Sequence, residues 1–227
     1  MRTAAILPVK SFDAAKQRLA SSLASGSRQA LAQAMFQDVL ASLRQVNWIE
    51  RIVVVASEPT VESATDDQVV LIEDEARAGQ SQATLAGIRW AVTSGFQRAL
   101  LVPADTPLLA PAEIDELLAN APEAVVIVPD RHGSGTNALL LRPPTVIQPS
   151  FGPDSLQRHV AAAEAAGVAH RVEPVPSLIL DVDTFDDLAV VADALERSHA
   201  SAPHTRGALR QLQRAGARLK SPSGAQS

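Results

Sequence analysis

The sequence predicts a doubly wound α/β domain with a mostly parallel central sheet. Three observations carry that expectation. Short β-branched apolar runs alternate with stretches of helical periodicity along residues 1–197. The runs are continuously apolar rather than alternating, as strands covered on both faces are. Apolar residues make up 46% of the 227 and aromatics only 3%, so a sizeable core is available and it is aliphatic.

The elements follow in order. AAILPV (4–9) is a short apolar run ended by Pro8 and Lys10 and reads as a buried strand. Residues 27–46 carry Leu31, Met35, Val39 and Leu43 at four-residue spacing, a helical stripe. RIVVVAS (51–57) and QVVLIED (68–74) are rich in Val and Ile and read as strands. Residues 81–94 place Leu85, Ile88 and Val92 on one helical face, and Gly95 sits where helices stop. ALLVPAD (99–105) reads as a strand, and Pro111 opens a helix that runs to 118. AVVIVPD (124–130) and NALLLR (137–142) are strands, and residues 153–166 form a helix that Gly167 ends. LILDVDT (178–184) reads as a short strand. A last helix follows, with Thr184 as its N-cap and Asp187 three residues on, an acidic variant of the capping box.

Composition excludes several function classes. There is no cysteine, so disulfides, thiolate nucleophiles and cysteine-held metals are out. No run approaches 18 apolar residues, and MRTAAILPVK is too short and too strand-like for a signal peptide, so a cytoplasmic protein without a membrane partner is expected. Residues 198–227 hold Arg206, Arg210, Arg214, Arg218 and Lys220 and no acid. With a net charge of −5 overall and +5 in that tail, the body carries −10, which argues against nucleic acid as a partner. The tail reads as a solvated, partly disordered basic extension; its arginine spacing would also suit one face of a helix that meets an acidic partner.

Chemistry-bearing residues cluster after the strands, where ligands of open α/β sheets bind. PVKSFDAAKQRL follows the first strand and brings Lys10, Lys16 and Arg18 together. Such a cluster suits phosphate, although a solvated helix start has the same composition. In EDEARAGQSQATLAGI, Gly79 and small polar residues precede a helix whose free N–H groups could face a base or phosphate. Asp105 ends an apolar strand, with Pro107 fixing the next turn, a common way to hold Mg²⁺ near a phosphate. It stands six residues before Pro111, which is too early to cap that helix. In DRHGSGTNAL, Ser134, Thr136 and Asn137 offer donors beside Gly133 and Gly135, either around an oxyanion or in a plain hairpin turn. His132 there has no ligand-spaced partner. In SFGPDSLQRH, Gly152, Pro153 and Ser155 open a helix N-terminus that is either an anion site or an ordinary capped start. Asp181 and Asp183, two residues apart on a strand, would share a face and repel unless a cation lay between them. With Asp105 they form an all-oxygen set that suits Mg²⁺. No GxxxxGK[ST], GxSxG, HExxH or GxGxxG motif is present, so hydrolase and dinucleotide-oxidoreductase readings lack support.

These stretches, in this order, resemble the guanylyltransferases of deazaflavin coenzyme F-420 biosynthesis, from PVKSFDAAKQRL through LVPADTPLL, PDRHGSGTNALLLRP and FGPDSLQRH to LDVDTFDDL. The resemblance covers about residues 6–196 and leaves the tail outside. It implies a Rossmann-like nucleotidyltransferase fold of the glycosyltransferase-A type. It also implies transfer of GMP from GTP to the phosphate of phosphoenolpyruvate, 2-phospho-L-lactate or 3-phospho-D-glycerate. Asp105, Asp181 and Asp183 match the family's magnesium-binding carboxylates. Thr136, Gly152 and Ser155 match residues that hold the acceptor, Lys10 matches a lysine near it, and Lys16 and Arg18 sit where the triphosphate binds. On this resemblance Lys10, Lys16, Arg18 and Asp105 are the catalytic set, and Gly79, Gln80, Ser81 and Gln82 join Lys16 and Arg18 at the nucleotide. Related enzymes often show G-x-N in the base-binding loop, where this chain has GQSQATLAG. A homodimer and hand-over of product to a downstream phosphotransferase are further expectations from the family. Two other readings stay open: a nucleotidyltransferase using another nucleotide and a sugar or alditol phosphate, and a non-catalytic nucleotide-sensing module.

Overall fold

A computed structural model describes residues 1–9, 16–20, 23–57, 61, 64–74, 80–197 and 202–215. The strands are β1 (Thr3–Val9), β2 (Arg51–Ala56), β3 (Val69–Glu73), β4 (Arg98–Leu101), β5 (Val125–Pro129), β6 (Thr136–Leu141) and β7 (His170–Val172). The helices are α1 (Ser25–Leu43), α2 (Gln80–Thr93), α3 (Pro111–Ala119), α4 (Ser155–Ala165), α5 (Phe185–Arg197) and α6 (Pro203–Arg214). All seven strands form one sheet in the order β3-β2-β1-β4-β6-β5-β7. Only β6 runs against its neighbours β4 and β5; every other pairing is parallel. The doubly wound α/β expectation holds. Among the described residues no helix is long and apolar enough to cross a membrane.

The continuous apolar strands are explained by helices on both faces. Alternate residues of β1 enter two separate cores: Ala5 and Leu7 with α1 and α3, Ala4 and Ile6 with α2 and α4. Helix α2 lies so close to the sheet that a Cβ at Gly87 would overlap the Ile6 side chain, so glycine sets that approach. The stripe expected on α1 divides in two. Val39 and Leu43 face the sheet, whereas Leu31 and Met35 turn into a third core with α5 and α6.

Proline placement opens the sheet at its carboxyl end. The Ile6 carbonyl accepts the Val102 N–H on the β4 side, and Pro8, two residues on, faces that same side. Strand β4 has ended there, so the missing N–H of Pro8 leaves no ladder bond unmade. Pro103 cannot donate either, and the strand expected over 99–105 stops at Leu101. Asp105 therefore lies in a turn beyond the strand.

Two expectations are corrected. Residues 178–184 are not a strand. Leu178, Leu180 and Val182 alternate inward as a strand would, but the Val182 N–H donates to the Asp105 carbonyl at 3.1 Å, in the turn after β4, instead of to a sheet neighbour. The tail is not wholly solvated: within it α6 buries Thr205, Leu209 and Leu212, and Arg210 and Arg214 face outward. The N-cap of α6, Ala202, supplies no side-chain bond. Asp38 of α1 does so from a distance, accepting from His204 N at 3.1 Å and Thr205 N at 2.7 Å. A buried carboxylate facing a helix N-terminus meets both free donors and the positive end of the dipole. Arg218 and Lys220 lie outside the described residues.

Asp38→Ala is expected to lower stability by about 1–3 kcal/mol, the usual cost of losing a charged cap. Urea denaturation measures the loss, and hydrogen exchange is expected to accelerate first in the amides of α6. Unchanged exchange there would contradict this account of how α6 is held.

Candidate active site

A cleft of about 700 Å³ opens where β1, β4 and β5 end and β6 begins. Its polar lining comes mainly from five segments distant in sequence: Lys16 and the 3-10 turn η1 at Gln17–Leu19; the turn holding Asp105; the β5–β6 hairpin; the start of α4; and residues 181–184; Pro8, Val9, Ala32 and Met35 add apolar lining. This is the strand-end crevice expected of an open α/β sheet.

A cluster of charges occupies one wall. The Lys16 ammonium donates to Asp105 Oδ2 and lies 3.5 Å from Asp183 Oδ1. The Lys16 side chain is only 7% exposed, so these partners offset its desolvation. Burial works against its charge, but Asp105, Asp183 and Asp181 outweigh it and raise its pKa. Arg18 reaches Asp183 Oδ2 at 3.5 Å; at 73% exposure it adds little stability there. Asp181 shows the strain of the arrangement. Burial, with Asp105 and Asp183 nearby, pushes its carboxyl up to about 6. Asn137 Nδ2, which also holds the Leu178 carbonyl at 2.8 Å, donates to Asp181 Oδ1 at 3.2 Å and partly relieves it.

The segment carrying these acids is fixed from behind. Asp187 Oδ2 accepts from Asp183 N, Thr184 N and Thr184 Oγ1, and Thr184 Oγ1 accepts from Asp187 N at 3.3 Å. The capping box expected at Thr184 is thus formed. The other Asp187 oxygen pairs with Arg131 of the β5–β6 hairpin, which joins two walls of the cleft.

Another part of the lining is formed by the β5–β6 hairpin and the start of α4, where hydroxyl groups stand beside Asp130, Arg131 and Asp154. Thr136 N–H donates to Ser155 Oγ at 2.9 Å, and Thr136 Oγ1 lies 2.9 Å from His159 Nδ1. The other ring nitrogen of His159 accepts the Ser150 N–H at 2.9 Å. Gly152 has φ +111°, a conformation that strains any residue with a Cβ, so its backbone can form this curve only as glycine. The two hydroxyls and the first turn of α4 can receive an anion of phosphate or carboxylate type.

Of the residues expected from sequence, Lys16, Arg18, Asp105, Thr136, Gly152, Ser155, Asp181 and Asp183 all line this cleft. Lys10 and Gly79 lie outside the described residues, as does the side chain of Gln80. Ser81 touches the margin, its Oγ accepting the Phe151 N–H at 3.3 Å, and Gln82 is exposed away from the lining. Among the described residues no group of three or more His, Cys, Asp or Glu could by itself hold a metal ion. Asp105, Asp181 and Asp183 share the cleft without forming a complete cage, and the Lys16 ammonium bridges two of them. Sequence reading missed His159, Arg131 and the second role of Asp187. The signal for His159 was its place four residues after Ser155 and four before Ala163, on the buried stripe of α4.

The family model described as "Guanylyl transferase CofC like" matches residues 3–223. The chain is 46% identical over 218 residues to the phosphoenolpyruvate guanylyltransferase of Conexibacter woesei, covering 94% of this chain and 98% of that one. It is 32% identical over 213 residues to the 2-phospho-L-lactate guanylyltransferase of Methanothermobacter thermautotrophicus, covering 93% and 92%. It is 33% identical over 193 residues to the 3-phospho-D-glycerate guanylyltransferase of Colwellia psychrerythraea, covering 85% and 92%. Among solved structures, a protein described as a nucleotide-diphospho-sugar transferase from Desulfovibrio desulfuricans G20 superposes with a TM-score of 0.74 at 18% identity, covering 94% of this chain and 96% of that one. A cytidylyltransferase from Leptospira borgpetersenii does so with a TM-score of 0.60 at 12% identity, covering 100% of both chains. The structural likeness shows a fold of the nucleotidyltransferase type. The family match spans nearly the whole sequence, α6 included, and the chain belongs to the CofC-like guanylyl transferases.

Proposed function

We propose that this chain transfers GMP from GTP to the phosphate of a small three-carbon phospho-acid, releasing pyrophosphate, as a step in coenzyme F-420 biosynthesis. The observation that carries the reading is one cleft with two unlike parts: a Lys–carboxylate cluster, and the Thr136 and Ser155 hydroxyls beside the first turn of α4. Such a site can hold a triphosphate and a second anion at once. Phosphoenolpyruvate is placed first among acceptors, because the relative at 46% identity carries that name. 2-Phospho-L-lactate and 3-phospho-D-glycerate carry the same carboxylate and phosphate and would fit the same cradle.

The reaction joins two phosphates. An acceptor phosphate oxygen attacks the α-phosphorus of GTP in line, a new P–O–P bond forms, and the bond to the β-phosphate breaks to release pyrophosphate. A phosphate monoester is largely ionised near neutral pH, so no strong base is needed to activate it. The barrier is the approach of two anions, which positive charge must offset. Lys16 and Arg18 supply side-chain charge on the nucleotide side. Thr136, Gly152 and Ser155 orient the acceptor on the other, by hydroxyl and backbone groups that cost no further charge.

Magnesium fits the donor chemistry. The acids are all-oxygen ligands, and Asp181 is pushed up to about 6 by burial and its neighbours, a penalty a cation would relieve. Magnesium is usually held by one or two carboxylates plus substrate phosphates, so an all-protein cage is not required. Asp105, Asp181 and Asp183 would hold it, and it would supply neutralising charge at the triphosphate.

Two measurements test this reading. Pyrophosphate release with GTP and each of the three acids, side by side, is expected to favour one by a factor corresponding to about 1–3 kcal/mol per discriminating contact. Release with CTP and a sugar phosphate instead, or nucleotide binding with no release at all, would contradict it. Asp105→Asn is expected to cut turnover at least about a thousand-fold with an unchanged circular dichroism spectrum; wild-type turnover at limiting magnesium would remove Asp105 from the metal.

The charge strain is testable in chelator-treated protein. The folded-state pKa of Asp181 is raised, so the stability linked to its proton is fully present below pH about 4 and lost as the pH rises through about 6. Asn cannot ionise. Asp181→Asn is therefore expected to be more stable than wild type by about 1–3 kcal/mol at pH 8, with the gain vanishing near pH 4. A gain independent of pH would show that Asp181 carries no such strain.

A further inference from the structure

We propose that His159 is a positioning residue whose Nδ1 proton, held by Thr136 Oγ1, turns the Thr136 hydroxyl proton outward to the acceptor's anionic oxygen. The proposal rests on the acceptor reading above and adds a residue to it.

The imidazole is fully buried, and both its nitrogens are engaged. The backbone N–H of Ser150 can only donate, so the Nε2 that faces it at 2.9 Å carries no proton. The neutral ring then holds its proton on Nδ1, and Nδ1 donates to Thr136 Oγ1. Burial, with the Arg158 guanidinium nearby, pushes the His159 pKa down to about 4, so the neutral ring persists at physiological pH. Phe151 meets the ring in a T-shaped contact at 5.3 Å and fixes its plane.

A threonine hydroxyl has one proton to give and two lone pairs to receive. With His159 supplying a proton, the hydroxyl's own proton must go elsewhere. No other partner of that hydroxyl exists among the described residues, and Thr136 lines the cleft. Ser155 repeats the arrangement: its Oγ accepts the Thr136 N–H, and its own proton is left to give. These two hydroxyls are thus set to donate to an anion, not to accept. A histidine that merely fills the core would not need this tautomer.

The test uses full-length protein with ¹⁵N-labelled histidine. Long-range ¹H–¹⁵N NMR is expected to find His159 with Nδ1 protonated, Nε2 bare, and no titration from about pH 5.5 to 8. His159→Leu is expected to raise the KM for phosphoenolpyruvate roughly ten- to a hundred-fold, with the KM for GTP unchanged. His159→Asn, whose amide can donate from nearly the place of Nδ1, is expected to recover most of that loss. In a Thr136→Val background, His159→Leu is expected to cost nothing more. An Nε2–H tautomer, a titration near 6.5, equal losses for both substrates, or full additivity with Thr136→Val would overturn the proposal. The two readings fail separately: a wild-type protein inert with all three acids counts against the acceptor reading, whereas the wrong tautomer counts against His159 even in an active enzyme.

Discussion

One buried lysine constrains the whole strand-end cleft. Lys16 is almost fully enclosed, and its ammonium is held among Asp105, Asp183 and the field of Asp181. A cation in such a place must be paired, and its acids repel one another unless a cation stands between them. Each partner comes from a different segment: the 3-10 turn before α1, the turn after β4 and the stretch before α5. Lys16 has φ +56°, a left-handed backbone uncommon for a side chain of its size. That strain is tolerated because the charges around it fix where the ammonium must lie.

The scaffold around this cluster serves to keep its acids in place. The Val182 N–H bonds the Asp105 carbonyl, which ties the two acidic segments by their backbones. Asp187 holds Asp183 and Thr184 by N–H and hydroxyl groups, and Arg131 links Asp187 to the hairpin across the cleft. Behind them, α5 rests on α1 and α6 through Leu188, Val191, Leu209 and Leu212. Helix α6 therefore supports the acidic wall although it contributes no residue to the cleft lining. Burying each of its leucines contributes roughly 2 kcal/mol, offset in part by the entropy of ordering the helix.

Much of this was legible in the sequence, for reasons that are local. Continuous β-branched runs announced strands covered on both faces, and Thr184 with Asp187 announced the start of α5. A carboxylate six residues before Pro111 had no helix to cap, which marked Asp105 as part of a site. What stayed hidden depends on distant partners. The antiparallel placement of β6 is a matter of pairing, and β7 is a three-residue edge strand with polar members. Residues 178–184 alternate inward as a strand does, and only the absence of a sheet neighbour distinguishes them. The docking of α6 turns on Asp38, some 166 residues earlier in the chain, and nothing near α6 announces it. His159 had no motif because its role lies in which nitrogen bears a proton, a choice made by the backbone of Ser150.

The proposed site holds a cation and a triphosphate together, between three carboxylates and Lys16. The most direct measurement is an anomalous difference map from crystals grown with Mn²⁺ and GTP. The expected result is a single strong peak bounded by Asp105, Asp181 and Asp183 and touching the triphosphate, with the Lys16 ammonium moved from the carboxylates onto a phosphate oxygen. Triphosphate density in the cleft with no peak at these acids, or with Lys16 still paired to Asp105, would contradict it.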